Sequence, residues 1–278
     1  MSDFAKALPP FAELARGLRR IVAPNPSMMP GPGTNTYLFG ERQIAVLDPG
    51  PRLGNHIDDI IDKAGAPIRW VLATHTHPDH SPGVKLLAQR THAEILGMLP
   101  PHGEHQDRSF RPTRVMSDSD RLETEEFVLE AVHTPGHASN HLCFRHAATN
   151  WLLTGDHVID GSTVVINPPD GNMRQYLDSL QKVKSLQPAA LLPGHGEKIE
   201  DPERLVDWII QHRLEREARV LAAVVAKPGL TTRALVPNVY LDVPKKVYAW
   251  AERSLLAHLE KLEEDGLVVS RRGTWCPA

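Results

Sequence analysis

The stretch Thr74-His75-Thr76-His77-Pro78-Asp79-His80 is the most informative part of this sequence. It directly follows an apolar run of strand length. Alternate residues of an extended segment point the same way, so His75 and His77 can reach one metal ion together. Asp79 and His80 come after a turn and can face a second ion nearby. The stretch therefore predicts the start of a two-metal site at the end of a strand.

Three further predicted strands also end at a His or Asp cluster. The four strands are expected over Ile68 to Ala73, Phe127 to His133, Trp151 to Thr154 and Ala189 to Leu192. Loops at strand ends commonly carry functional groups. A lone histidine is usually a surface or core residue, but this many ligand-type residues in one pattern favours a metal site. The predicted ligands are His75, His77, Asp79, His80, His137, Asp156 and His195. Imidazole and carboxylate suit zinc, and they also suit iron or manganese.

Composition excludes several classes of protein. The 278 residues suffice for one large domain and a small one, and a net charge of -3 gives no pull toward nucleic acid or membrane. Two cysteines do not form a secreted disulfide framework, so a reducing compartment fits better. The first 22 residues lack the apolar core of a signal peptide, and no run approaches the length of a membrane-spanning helix. We therefore expect a cytoplasmic protein with no membrane partner.

The remaining elements predict an α/β chain with a distinct C-terminal part. Met1 to Arg20 is expected to be an irregular or helical lead-in, and Pro24 to Gly33 a Pro/Gly-rich loop. Beyond a long helix over Pro202 to Ala226 come a short helix, a longer helix over Pro244 to Glu264 and a possible β-hairpin. That order is typical of a winged helix-turn-helix module. We predict a catalytic domain over residues 1–200, a connecting helix over 201–227 and a winged-helix-like domain over 228–278.

The seven predicted ligands resemble, in order and type, the metal-binding pattern of the metallo-β-lactamase superfamily. The resemblance covers about residues 20 to 200. It implies a four-layered αββα sandwich, followed here by the small winged-helix-like α+β segment. It also implies that His75, His77 and His137 hold the first metal. Asp79, His80 and His195 would hold the second, and Asp156 would bridge the two.

Shorter motifs resemble the lactamase-B-like subgroup of endoribonucleases and thioesterases. They are Gly31 to Tyr37, Leu47 to Gly50, Thr134 to His137 and Pro168 to Gly171. The resemblance implies a zinc-dependent hydrolase with two zinc ions per chain, or iron or manganese in their place. A hydroxide bridging the metals would attack an ester-like bond: a thioester, an ester or lactone, or a phosphodiester. The expected substrate is a small-molecule or carrier-linked thioester or ester, and the alternative is single-stranded RNA cleaved by an endoribonuclease.

Several other residues receive roles in this hypothesis. Asp79 is also expected to orient the hydroxide, and His157 either contacts substrate as a proton donor or is an oriented structural imidazole. Asp48 and His133 are expected to support the ligands from behind, because ligand imidazoles usually need an outer partner. His141 is expected to line the substrate pocket, and Asp170 to form a turn. The other histidines considered are expected at the surface: His56, His102, His105, His146, His212 and His258.

The C-terminal segment leaves more than one interpretation open. From Asp201 onward it has 12 Lys and Arg against 11 Asp and Glu, which is not the basic footprint of a nucleic-acid module. A lid or a homodimer-forming role is favoured. The remaining alternative is a non-catalytic, nucleic-acid-binding regulator built around the winged helix, and the full ligand set argues against it.

Overall fold

The computed structural model describes residues 8–27, 31–103 and 105–278. The chain forms two compact units. Among the described residues, one unit comprises those within 1–134, 140–163 and 186–202, and the other comprises those within 135–139, 164–185 and 203–278. The domain boundaries expected from the sequence, at residues 200 and 228, stay a prediction. No helix in the described ranges is long and apolar enough to cross a lipid bilayer.

The first unit contains a seven-stranded sheet whose strands follow chain order. The strands are β1 (Phe11–Ala15), β2 (Leu18–Val22), β3 (Asn35–Phe39), β4 (Ile44–Leu47), β5 (Ile68–Leu72), β6 (Glu94–Gly97) and β7 (Arg114–Val115). Strands β1 to β4 pair antiparallel. Strands β4 to β7 pair parallel. Parallel neighbours need crossover connections, and helices α1 (Gly54–Ala64) and α2 (Pro82–Thr91) supply the first two.

A second sheet in this unit has five strands, in the order β12-β11-β10-β9-β8. They are β8 (Arg121–Glu123), β9 (Val128–His133), β10 (Leu142–His146), β11 (Trp151–Gly155) and β12 (Ala190–Pro193). Strands β11 and β12 pair parallel, so the chain leaves both at the same edge of the sheet.

Alternation along the strands divides the core into two layers. Leu47 and Leu72 share one cluster with Leu129 and Leu153 of the second sheet. Val46 and its neighbours on the opposite face pack with helices α1 and α2. Since neighbouring residues of a strand point to opposite faces, the first sheet is buried on both sides. The first unit is therefore layered as helices, sheet and sheet.

The second unit is mainly helical. Its elements are α3 (Met173–Ser185), α4 (Pro202–Ala226), α5 (Thr232–Val239), a 3-10 turn (Lys245–Val247), α6 (Tyr248–Glu264), β13 (Val268–Arg271) and β14 (Thr274–Pro277). Apolar residues of α4, α5, α6 and the hairpin form one buried cluster. The helix, helix and hairpin order expected beyond residue 228 is confirmed.

The predicted lead-in is wrong where the structure describes it. Strands β1 and β2 form a hairpin in place of an irregular or helical segment, with Gly17 at a φ of 68° in the turn. The alanine, glutamate and leucine of β1 favour helices, but pairing with β2 overrides that local preference. Residues 1–7 of the lead-in, and residues 28–30 of the Pro/Gly-rich loop, lie outside the described residues.

Candidate metal centre

The ligand-type residues of the first unit follow the carboxyl ends of four strands. Asp48 follows β4, the stretch His75 to His80 follows β5, Asp156 follows β11, and His195 follows β12. Strands β4 and β5 are parallel neighbours, as are β11 and β12. Each pair therefore delivers its loops to one sheet edge, where ligand sites of α/β proteins commonly form.

The first set of imidazoles begins with His75 and His77. His75 Nε2 lies 3.0 Å from His77 Nδ1. His75 Nδ1 donates to Thr74 Oγ1 at 3.0 Å, and that hydroxyl donates to Asp48 Oδ2 at 2.8 Å. The chain of donors places the proton of His75 on Nδ1 and leaves the Nε2 lone pair facing His77. A metal ion would take the place of the contact between these two nitrogens.

The second set contains Asp79, His80, Asp156 and His195, whose possible ligand atoms all lie within 4.8 Å of one another. Asp156 Oδ1 is 3.4 Å from His80 Nε2 and 3.2 Å from His195 Nε2. Asp79 Oδ2 is 3.3 Å from His195 Nε2 and 3.7 Å from His80 Nε2. Four donors thus surround one small volume.

The geometry of this second set fits a metal ion. His80 Nε2 and His195 Nε2 are buried and make no well-aligned hydrogen bond in the described part of the chain, although carboxylate oxygens lie 3.2–3.7 Å from them. Buried polar atoms nearly always have a well-aligned partner, and a cation held between these nitrogens and the carboxylates would supply one. The backbone of Gly194 lies close to this set. A Cβ at this position would be 2.7 Å from His80 Cε1 and 2.9 Å from Asp156 Oδ1, so a side chain would not fit there.

The charges of this set are strongly coupled. Burial alone would lower the pKa of His80 and of His195, but the neighbouring carboxylates outweigh it. They raise the pKa of His80 well above its usual range and that of His195 to about 10. Burial would likewise raise the pKa of Asp79, but His80 and His195 hold it at about 2. The carboxylates therefore stay ionised and favour a bound cation, which would displace the imidazole protons.

Hydrogen bonds behind the imidazoles fix their orientation. His80 Nδ1 donates to Asp48 Oδ2 at 2.9 Å, and His195 Nδ1 donates to the carbonyl oxygen of Gly33 at 3.0 Å. Both rings thus present Nε2 to the second set. Asp48 Oδ1 also accepts the Thr74 backbone N–H at 2.7 Å. Asp48 thus contacts His80 directly and His75 through Thr74, and its role in supporting ligands stays a prediction.

His137 lies on the short segment 135–139 of the second unit. Its Nδ1 donates to the carbonyl oxygen of Val165 at 2.8 Å, which leaves Nε2 as the nitrogen able to bind a metal. This tautomer is the one that a ligand imidazole with an outer carbonyl partner adopts. The assignment of His137 as a ligand stays a prediction.

Two predicted roles disagree with the structure. His141 was expected to line the pocket, but it is fully buried, and both ring nitrogens bond within the fold. For His157 two roles are left open by the sequence, a proton donor in contact with substrate or an oriented structural imidazole, and it is also fully buried, with its ring centroid 6.1 Å from that of His141. Burial contradicts the pocket-lining role of His141 and the substrate-contacting role of His157, and it is compatible with the structural alternative for His157.

The sequence also predicts a role for His133, a turn at Asp170 and surface positions for six other histidines. His133 is half-buried at the end of β9, and its backbone N–H donates to Asp118 Oδ1 at 2.7 Å. Its supporting role stays a prediction. Asp170 does more than form a turn, because its Oδ1 accepts the Ser139 hydroxyl at 2.5 Å. The surface positions expected for several histidines are wrong, because three of them are buried: His56, His146 and His258.

Polar contacts that the sequence does not predict hold the loop of His195. Asn35 Nδ2 donates to the carbonyl oxygens of Pro193 and Gly196, both at 2.9 Å. Tyr37 donates its hydroxyl to Pro193 at 2.8 Å. The available signal was a strand with polar residues at consecutive positions, where a buried strand would be expected to be apolar.

Comparisons with known proteins agree with this geometry. Residues 29–195 match a model described as the metallo-beta-lactamase superfamily, and residues 231–275 match the beta-lactamase associated winged helix domain. A Drosophila melanogaster protein named beta-lactamase-like protein 2 homolog is 30% identical over 273 residues, which are 93% of this chain and 92% of that protein. An atrochrysone carboxyl ACP thioesterase from Passalora fulva is 29% identical over 279 residues, covering 94% and 80% of the two chains.

A solved structure shows the same fold. The beta-lactamase domain protein from Burkholderia ambifaria has a TM-score of 0.83 at 21% identity, covering 99% of this chain and 96% of that one. The predicted α/β fold class, with its C-terminal winged helix, is confirmed.

Proposed function

This chain belongs to the metallo-β-lactamase superfamily, and from that membership we propose that it is a two-zinc hydrolase of acyl thioesters. The observation that carries the proposal is the second set, where the carboxylates of Asp79 and Asp156 and two buried imidazole nitrogens converge with all possible ligand atoms within 4.8 Å of one another. Such a donor set is typical of catalytic zinc, and it also accepts iron or manganese.

The proposal assigns the ligands to two ions. His75, His77 and His137 would hold the first ion, and Asp79, His80 and His195 would hold the second. Asp156 would contribute to both. When bound, the two divalent ions would lower the pKa of a water molecule to about 7, which makes hydroxide available near neutral pH.

The carboxylates of the second set have different tasks in this proposal. The side chain of Asp79 is 29% exposed and that of Asp156 is 14% exposed. Asp79 is therefore the carboxylate that reaches a water molecule at the mouth of the site and orients it toward the substrate. Asp156, which lies deeper, neutralises positive charge within the set.

A thioester is the favoured substrate for two reasons. The Passalora fulva relative is named as an ACP thioesterase. In addition, His157 is buried and cannot protonate a leaving group. When water adds to a thioester carbonyl and the C–S bond breaks, the thiol that leaves has a pKa near that of cysteine, about 8.5. It needs less help from a proton donor than the alcohol released by an ester or phosphodiester.

The test measures thiol release by zinc-loaded protein from a series of pantetheine-like acyl thioesters. Matched oxoesters, lactones and a labelled single-stranded RNA are assayed in parallel. We expect thioester cleavage that disappears in His77→Ala and persists in His102→Ala, because His102 is an exposed histidine outside both sets. Cleavage of the RNA without any thioester hydrolysis would replace this proposal with the endoribonuclease alternative.

A further inference from the structure

The start of strand β10 is bonded to the loop that carries the ligand histidines. The run Asn140-His141-Leu142 leads into this strand. The Leu142 backbone N–H donates to the carbonyl oxygen of Thr74 at 2.7 Å. The side chains of the two residues before it are buried, at 3% exposure for Asn140 and 0% for His141. Both bond to residues next to or within the candidate metal sets.

Asn140 acts on the first set through Thr76, which lies between His75 and His77. Its Nδ2 donates to Thr76 Oγ1 at 2.9 Å and to the carbonyl oxygen of Leu99 at 3.3 Å. Thr76 Oγ1 then donates to Gln106 Oε1 at 2.5 Å. Thr76 Oγ1 therefore accepts one hydrogen bond, from Asn140, and donates another, to Gln106. The Thr76 side chain is thus held from two sides.

The amide of Asn140 is not arranged for stability alone. Its Oδ1 is buried and has no hydrogen-bond partner in the part of the chain that the structure describes. A buried unsatisfied acceptor destabilises a fold, and an apolar residue of similar size would avoid that penalty. The two bonds made by Nδ2 are therefore the feature that distinguishes asparagine from leucine here.

His141 acts on the second set. Its Nδ1 donates to Thr134 Oγ1 at 2.9 Å, so its Nε2 carries the lone pair. That Nε2 accepts the backbone N–H of Asp156 at 3.2 Å. The same ring lies against His75, with ring centroids 5.0 Å apart.

We propose that Asn140 and His141 are positioning residues that hold the two candidate metal sets in place relative to each other. Asn140 fixes the His75–His77 turn through Thr76, and His141 fixes the backbone at Asp156. Because the residues are adjacent, a displacement of one set is transmitted to the other. This inference rests on the proposed two-metal hydrolase. It adds the side chains that keep the two metal-binding sets in a fixed position relative to each other.

The experiment uses cobalt(II) as a spectroscopic probe in the full-length protein. Asn140→Leu and His141→Leu remove the contacts, and His141→Gln restores an acceptor near Asp156. The matched control is His146→Leu, because His146 is a buried histidine at the far end of the same strand, bonded to Thr149. Cobalt affinity, the visible absorption spectrum, the melting temperature, kcat and KM are measured for each protein.

We expect the two leucine variants at 140 and 141 to bind cobalt roughly 10- to 100-fold more weakly, as is usual when outer partners of metal ligands are lost. Their spectra change and kcat falls more than KM rises. His141→Gln recovers part of the affinity, and His146→Leu lowers only the melting temperature. If Asn140→Leu and His141→Leu retain the cobalt affinity and spectrum of the wild type, the inference is wrong.

The same measurements separate this inference from the proposed function. A wild type that binds two cobalt ions but cleaves no thioester refutes the substrate assignment and leaves the positioning test intact. A wild type that binds no cobalt refutes both.

Discussion

At the scale of single residues, Asp48 connects the two candidate metal sets. It has a φ of 51°, in the left-handed region that aspartate and asparagine tolerate better than most residues. One of its oxygens accepts from both Thr74 and His80. Its position at a strand end was sufficient to predict a supporting role. The sequence did not reveal that one carboxylate would serve imidazoles of both sets.

Asp48→Asn is expected to fold and to bind zinc roughly 10- to 100-fold more weakly. Asparagine tolerates the same backbone conformation, so the change removes the negative charge and an acceptor without adding backbone strain. Zinc affinity is measured by competition with a chelator, and circular dichroism checks the fold. Unchanged zinc affinity in a folded variant would show that Asp48 does not orient the ligands.

Gly194→Ala tests the close packing around the second set. The added Cβ would lie 2.7 Å from His80 Cε1, so the imidazole must move away from the carboxylates. Overpacking of this kind costs about 1–3 kcal/mol. We expect a lower melting temperature and the loss of one zinc ion per chain.

Gly54→Ala is the matched control for that change. Gly54 is the first residue of α1, and an added Cβ there meets nothing within 4 Å. It should leave zinc binding unchanged and stabilise the helix by up to about 1 kcal/mol. Equal zinc content in the two variants would contradict the proposed geometry of the second set.

At the scale of secondary structure, the sequence was most informative where a strand ended at a ligand cluster. The strand expected over Ile68 to Ala73, directly before His75, lies close to the observed limits of β5. The hairpin of β1 and β2 was missed because its residues favour a helix and its pairing partners are not apparent locally. Strands β7 and β8, with two and three residues, are too short to produce a periodic pattern.

The buried histidines show why burial was harder to predict than ligation. His56 donates to Thr36, which donates to the carbonyl oxygen of Asp48, so it lies in the polar network behind the metal site. His258 is buried in α6, with Nδ1 3.6 Å from Glu217 of α4. Polar residues on helices suggest surface positions, and only tertiary packing shows that these are internal.

Helix α6 makes the stability of the second unit dependent on pH. Burial lowers the pKa of His258 to about 4, with the charge of Arg213 also lowering it, although Glu217 opposes the shift. An unfolded histidine titrates near 6.5, so the unfolded chain takes up the proton first as the pH falls. Stability is therefore retained above about pH 6.5 and lost progressively toward pH 4, by about 2 kcal/mol between pH 7 and pH 5.

Urea unfolding of metal-free wild type and His258→Gln at these two pH values checks this expectation. The variant has no imidazole at this position, so its loss of stability between pH 7 and pH 5 should be about 2 kcal/mol smaller. An identical pH dependence in both proteins would mean that folding does not lower the pKa of His258.

At the scale of the whole molecule, the chain combines the metallo-β-lactamase fold with a winged-helix domain. The near-neutral charge of the C-terminal segment gives no electrostatic reason to bind nucleic acid. Family membership and a candidate two-metal site could be predicted from seven residues. The substrate could not, because the walls of a pocket depend on how separate loops pack.

Each chain is proposed to hold two metal ions. The most direct test is the zinc content of purified protein after zinc loading and removal of excess metal, measured by elemental analysis against protein concentration. We predict two zinc ions per chain in the wild type and one in His195→Ala, which removes a ligand of the second ion only. A wild type with no zinc, or two zinc ions retained in His195→Ala, would contradict the account.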